Sequence, residues 1–264
     1  MSATVVRQRG STWTVVEYKI LQARKYWRAV VIVGLVTPLF YLLALGVGLG
    51  VVVNRNSGGQ LGVPYLVFVA PAFLTAAALQ VATNEAAFPV MGGFRWERLF
   101  HGIAATPLRP LQIADGVLWW ITIRVSLNSA VYLAILAAFG GAHRWQVVFA
   151  VPAAVLCGMA FGAPVAALSA TLRNDGQAFN VVFRFIVTPM FLFSGTFYPI
   201  SQLPGWAQAL AHVSPLWHGT ELARDAAIGG LSSFAVLGHL AFLVVWLVVG
   251  VSLARWRFRV RLEE

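Results

Sequence analysis

Six long apolar runs, separated by short polar or basic segments, dominate the chain: Ala29–Val53, Pro64–Ala87, Leu111–Phe139, Val147–Thr171, Ala178–Tyr198 and Ser233–Ala254. A helix rising about 1.5 Å per residue needs about 20 apolar residues to cross about 30 Å of hydrocarbon. Each run meets that length. Apolar and polar residues do not alternate within the runs as a barrel strand requires, so helices are the structures that satisfy every backbone group in lipid. The pattern predicts an all-α polytopic membrane protein with six transmembrane helices, in a single membrane domain over residues 1–264.

The segments between the runs carry their own patterns. Trp13, Val16, Ile20, Ala23 and Trp27 recur at helical spacing, while Glu17, Arg24 and Arg28 fall on other faces. Residues 13–28 thus read as an amphipathic helix lying in the membrane interface. Lys19, Arg24 and Lys25 oppose the alternative, an extension of the first span. The connection Phe88–Pro110 carries Arg95, Trp96, Glu97, Arg98, Leu99 and Phe100. Residues 94–105 can form a short helix with Trp96, Leu99, Phe100 and Ile103 on one face, ended at Thr106-Pro107 because proline disfavours the α conformation before it. A charged, aromatic helix projecting from a membrane domain suits docking to a partner; a solvated connector is the plainer alternative.

The segment after the fifth run, about 198–232, is punctuated by Pro199, Pro204, Gly205 and Pro215 and ends in Gly229-Gly230. Too broken for a span and too apolar for a free loop, it reads as a segment that dips back into the membrane or lies on its surface. Within it Glu221, Arg224 and Asp225 stand at helical spacing and can pair locally.

Composition agrees with this picture and charge orients it. The 264 residues are 59% apolar and 11% charged, with a mean hydropathy of +0.77, whereas soluble domains are about 25% charged. The net charge of +10 could suggest nucleic acid, but its distribution does not. With the N-terminus assigned to the cytoplasm, 14 basic residues fall in inside segments and 3 outside (Arg55, Arg144 and Arg224), leaving Arg124 and Arg184 in the spans. That is the positive-inside bias. It predicts a cell inner-membrane protein with both termini cytoplasmic, its basic residues facing lipid headgroups rather than nucleic acid. Residues 1–28 lack the pattern of a cleavable signal peptide.

Site chemistry is sparse. Lys19 and Lys25 are the only lysines and neither follows a glycine, so no Walker A lysine exists to reach nucleotide phosphates. Any ATP-driven step must use ATP on another polypeptide. Gly46-Val47-Gly48-Leu49-Gly50 has no preceding strand and reads as helix packing through small residues. Asn56-Ser57-Gly58-Gly59-Gln60 reads as a turn. Cys157 is the sole cysteine, and no two of His101, His143, His212, His218 and His239 stand three or four apart. No metal site or catalytic constellation is expected, which argues against a polytopic lipid-modifying enzyme. An ion-coupled secondary transporter is the stronger alternative, because ionisable groups sit in the spans, although six spans show no internal repeat. Depth counting pairs Glu85 with Arg184 as an intramembrane ion pair. Arg124, with Asn128 one turn on, is left as a path-lining contact for an anionic or polar cargo headgroup, or alternatively as a donor to backbone carbonyls between helices.

The chain resembles the ABC-2 type transporter permeases, in particular the branch of nodulation lipo-oligosaccharide and daunorubicin-type exporters. The resemblance is carried by Ser194-Gly195-Thr196-Phe197-Tyr198-Pro199-Ile200-Ser201-Gln202-Leu203-Pro204, then Pro215-Leu216-Trp217-His218 and Arg224, and by the Arg-Trp-Glu core of the Phe88–Pro110 connection. Thr196 stands where a smaller residue is usual. The resemblance implies a non-catalytic half-transporter that pairs with a second permease subunit, identical or not. Two cytoplasmic ATPase subunits would bind ATP and Mg, with no cofactor on this chain. Residues 94–105, headed by Arg95–Phe100, would be the coupling helix and residues 13–28 the interface helix. Residues 197–230 would be an outer re-entrant hairpin gating the exit through Phe197, Pro199, Pro204, Pro215, His218, Glu221 and Arg224. The implied cargo is a lipid-linked saccharide, a lipid or an amphiphilic drug, moved outward.

Overall fold

A computed structural model of the chain describes residues 12–26, 28, 40, 42–56, 62–139, 144–173 and 176–264, and these are helical with no strand among them. Helix α1 is Thr12–Ala23. A π-helical stretch Leu42–Leu49 leads into α2, Gly50–Asn56. The second apolar run becomes α3, Tyr65–Ala86, and α4, Phe88–Arg95. Next come α5, Leu99–Ala104, α6, Pro110–Ala138, and α7, Ala150–Thr171, entered through a 3-10 turn at Trp145–Phe149. They are followed by α8, Gln177–Phe193, α9, Gly205–Val213, α10, Pro215–Ile228, and α11, Ser233–Glu263.

Among the described residues, four helices are long and apolar enough to cross a membrane: Tyr65–Arg95, Pro110–Ala138, Trp145–Thr171 and Ser233–Glu263. They coincide with the second, third, fourth and sixth apolar runs. The first run begins outside the described residues, as do Trp27, His143 and residues 57–61. The fifth run forms a shorter apolar helix, α8, with a π segment over Val182–Val187. Pro189 supplies the physical reason: without an N–H it breaks the regular ladder. Thr188 Oγ1 donates to Phe183 O at 2.9 Å across the widened turn.

Helices α3 and α7 form the centre. They lie close because Gly158 and Gly162 face α3, where an added Cβ would stand 2.8 Å from Ala78 O and 2.9 Å from Ala82 Cβ. Around that pair pack α6, α10 and α11, enclosing a core that includes Phe73, Leu74, Leu79, Val125 and Met159. Asn54 Oδ1 accepts from Tyr65 N at 3.0 Å and caps α3. At the other end of α3, Ala87 (ψ −99°) marks a kink before Phe88-Pro89, proline being tolerated in the first turn of a new helix. Ser169 Oγ donates to Ala86 O at 2.6 Å, satisfying a carbonyl at the kink. The run therefore continues as helix to Arg95, eight residues beyond the predicted end of the span.

The expected continuous helix over 94–105 is a correction. Helix α4 ends when Gly92 O accepts from both Trp96 N and Glu97 N at 3.0 Å. Arg98 then turns left-handed (φ 48°) and α5 restarts at Leu99. The break is driven by burial. Phe94 meets Phe100 edge to face at 4.8 Å between centroids, and Phe94 meets Phe258 of α11 at 4.8 Å, a triangle that one straight helix could not make.

Candidate functional site

The most buried helix has one uncovered strip, and that strip is polar. Gln80 and Asn84 are exposed one turn apart on α3, Glu85 is partly exposed beside them, and Gln80 Nε2 donates to Asn84 Oδ1 at 3.3 Å. Facing them from α6, Arg124 donates to Glu85 Oε1 from Nε at 3.1 Å and from Nη2 at 3.0 Å. Trp120 Nε1 donates to Glu85 Oε2 at 3.3 Å, so both carboxylate oxygens are engaged. Each partner's side chain is 20% exposed. Asn128, one turn beyond Arg124, is half-buried.

The Glu85–Arg184 assignment is therefore wrong: Glu85 pairs with Arg124, and Arg184 is exposed in the π segment of α8. The reason is geometric. The helix does not end at Ala87 but kinks there and continues to Arg95, so Glu85 lies ten residues before its end rather than at the rim. Arg124 is not a free cation either; with its charge answered, the strip carries no net charge.

The Arg95–Phe100 stretch divides by exposure. Trp96 is 61% exposed, with Glu97 and Arg98 also outside. Phe100 is buried and Leu99 partly so; both belong to the core side. Helix α1 packs on α6 beside this turn. Val15 packs where Gly116 of α6 leaves no room for a side chain, an added Cβ standing 2.5 Å from Val15 Cβ. Trp13 stacks on Trp119 at 6.4 Å, and Lys19 Nζ lies 5.9 Å from the Phe100 centroid. Burial lowers the Lys19 ammonium below its ordinary value, against the opposing pull of Glu97 and Glu85.

The 197–230 segment folds as a hairpin whose second arm, α10, penetrates the bundle. Thr75 and Thr220 hydroxyls meet at 3.1 Å, about 15 Å along α3 from its Tyr65 end. Deeper still, Cys157 Sγ donates to Pro215 O at 3.4 Å. Ser214, bonded to Ser194 Oγ at 2.8 Å, caps α10 at Leu216 N. Arg224 holds the hairpin to the scaffold: Nη1 donates to Glu221 Oε1 at 2.6 Å, Nη2 to Gly195 O at 2.8 Å and Nε to Phe68 O at 3.4 Å, over the Phe68 ring at 3.9 Å. Asp225 does not join this pair; it accepts from Leu231 N at 2.8 Å. Phe197 sits edge-on to Phe73 and Phe191 at 5.4 and 5.2 Å, and its carbonyl accepts from Tyr65 OH at 3.2 Å. Pro199 is half-buried, Pro204 exposed and Pro215 buried.

Several residues of this arrangement escaped sequence reasoning. His239 was separated from His218 by 21 positions, yet their Nδ1 atoms lie 2.8 Å apart. His218 Nε2–H donates to His212 O at 2.9 Å, so His218 Nδ1 accepts from His239. Trp120, Thr75 and Thr220 carried no local signal. Gln80 and Asn84 did: an i, i+4 polar pair inside an apolar run. Among the described residues no three His, Cys, Asp or Glu side chains gather to hold a metal.

Comparison with known proteins supplies the family. The model of the ABC-2 type transporter family matches residues 10–228. Nodulation protein J of Rhizobium leguminosarum bv. viciae is 28% identical over 94% of each chain. That of Rhizobium meliloti (strain 1021) is 29% identical over 96% of this chain and 95% of its own, and that of Rhizobium leguminosarum bv. trifolii 30% identical over 86% and 85%. The helical membrane bundle, the match across most of its length and these relatives together make this chain a multi-pass transmembrane member of the ABC-2 type transporter family, on the branch of the nodulation J proteins.

Proposed function

We propose that the chain is the permease half of an ATP-driven exporter that moves a lipid-linked saccharide, a lipid or an amphiphilic drug outward. ATP and Mg are bound and hydrolysed on two cytoplasmic ATPase subunits, and a second permease subunit completes the path. The observation that carries this reading is the strip Gln80–Asn84–Glu85–Arg124–Asn128. Exposed amides against hydrocarbon are costly, so a polar strip within apolar spans is suited to a wet path between two permease subunits. Its neutrality favours a polar, uncharged headgroup over an anionic one.

In this reading six spans cross the inner membrane with both termini cytoplasmic, α1 lies in the interface, and the exposed turn Trp96-Glu97-Arg98 docks the ATPase. Motion of that turn would reach the spans through Phe94, Phe100 and Phe258. The α9–α10 hairpin would be re-entrant and line the exit.

The test is ATP-dependent uptake of a fluorescent lipid-linked oligosaccharide into inside-out vesicles holding this chain and its ATPase subunit. Uptake that needs both chains and ATP is expected. Uptake driven by an ion gradient without any ATPase refutes the proposal.

A further inference from the structure

Four arginines crowd the last turns of α11, and three are already committed. Arg255 grips Asp115 of α6 through Nε at 2.6 Å and Nη2 at 3.1 Å. Arg259 turns back to Glu263 at 3.1 Å. Arg261 Nη1 donates to the carbonyls of Ser169 (3.2 Å), Ala170 (2.9 Å) and Leu172 (2.9 Å), closing acceptors that the end of α7 leaves unbonded. Arg257 differs. Its guanidinium lies 4.2 Å from the centroid of the Trp256 ring, and no ion pair involves it among the described residues.

Arg257 opens onto a cavity of about 110 Å³ between the ends of α7 and α11, lined also by Arg173, Arg261 and Glu264 over a floor of Ala170 and Val260. One water needs only about 10–15 Å³, so the space admits a larger group. Among the described residues its lining holds three guanidinium groups and one side-chain carboxylate. The carboxylate is spent on Arg173, in a pair whose side chains are 72% and 51% exposed; such surface pairs contribute little and exchange readily.

We propose that this cavity binds the phosphate of an anionic phospholipid headgroup, taken between Arg173 and Arg257. Guanidinium forks match phosphate oxygens two at a time. The cavity lies at the ends of two membrane-crossing helices, the level at which headgroups lie. Just above it α11 exposes Val249, Leu253 and Trp256, an apolar face for the acyl chains with an indole at the interface. That apolar flank favours a lipid over an acidic segment of another protein. The site depends on neither the cargo nor the direction of transport.

The experiment uses the full chain in nanodiscs of phosphatidylcholine, with or without phosphatidylglycerol, followed by native mass spectrometry of retained lipid. The wild type should retain phosphatidylglycerol selectively. Arg173→Gln/Arg257→Gln should cut that retention by roughly tenfold or more, while its helical circular dichroism and its melting in pure phosphatidylcholine stay unchanged. Arg257→Gln alone should lose a smaller part of that retention and serves if the double variant fails to fold; Arg257→Lys, which keeps the charge but not the fork, should fall between that variant and the wild type. Equal retention of the two lipids by the wild type, or undiminished phosphatidylglycerol in the glutamine variants, overturns the proposal. So does protection from melting by inorganic phosphate alone that phosphatidylglycerol does not exceed, which would make this a free-anion site. Loss of ATPase co-purification with lipid retention intact would assign the arginines to a protein partner instead.

Discussion

Removing either member of the Glu85–Arg124 pair should destabilise the bundle, and removing both should restore it. At the observed 3.0 Å, two unit charges attract by about 5–6 kcal/mol at an effective dielectric of about 20. Arg124→Gln loses that attraction but no longer buries a cation, which saves about 2.5–3.5 kcal/mol. The net cost is about 2–3 kcal/mol, near the low end of the range for breaking buried pairs. Glu85→Gln should cost a similar amount and also leave Arg124 unanswered. For a chain of this size about 1 kcal/mol moves the melting midpoint by about 2–4 °C, so each single variant should melt about 5–10 °C lower. The chain carries its own reporter: Cys157 is the sole cysteine and is fully buried, so a thiol-reactive dye reads unfolding directly. In Glu85→Gln/Arg124→Gln the two amides bond to each other and the midpoint should return to within a few degrees of wild type. Single variants as stable as wild type, or a double variant no better than the worse single, would refute the pairing argument. If the restored double variant also exports normally, the strip's charges play no part in the path.

Four further outcomes are expected. Trp96→Ala should leave the thiol-labelling midpoint unchanged yet weaken ATPase co-purification, since losing an aromatic anchor costs about 2 kcal/mol or more of binding; Phe100→Ala should instead lower the midpoint, by about 3–5 kcal/mol of stability. Arg224→Lys should loosen the α9–α10 hairpin, because an ammonium cannot serve Glu221, Gly195 O and Phe68 O together; unchanged protease resistance over 195–214 would count against that anchoring. Gly116→Val should detach α1, seen as new proteolysis between Thr12 and Tyr26, and an intact α1 would show that the close approach is dispensable. Lys19 is depressed in the folded state, so the folded chain holds its proton less tightly than the unfolded one and stability rises with pH through that window. Lys19→Met should thus raise the midpoint at neutral pH, with the advantage vanishing as pH passes about 10.4; an advantage that persists there removes burial of the charge as the cause.

How far the sequence reached is clearest residue by residue. Apolar run length alone located α3, α6, α7 and α11, because hydrocarbon thickness sets a minimum length whatever the helices touch. The absence of a Walker lysine was equally legible, since it is a statement about residue types. The proline-broken hairpin was marked by its own local chemistry, and Glu221–Arg224 by its spacing on one turn. Contacts between runs were not legible. Glu85 met Arg124 rather than Arg184 because the Ala87 kink carries the helix on to Arg95, shifting the depth of everything above it. Phe100 faced inward and Trp96 outward because a left-handed Arg98 lets Phe94, Phe100 and Phe258 close on one another. His218 found His239 because α10 sinks between α3, α7 and α11. Local pattern dictates which segments become helices, since that depends on each segment's own solvent preference. Which side chains face one another depends on kinks, crossing points and depth, and these are decided only when the helices pack.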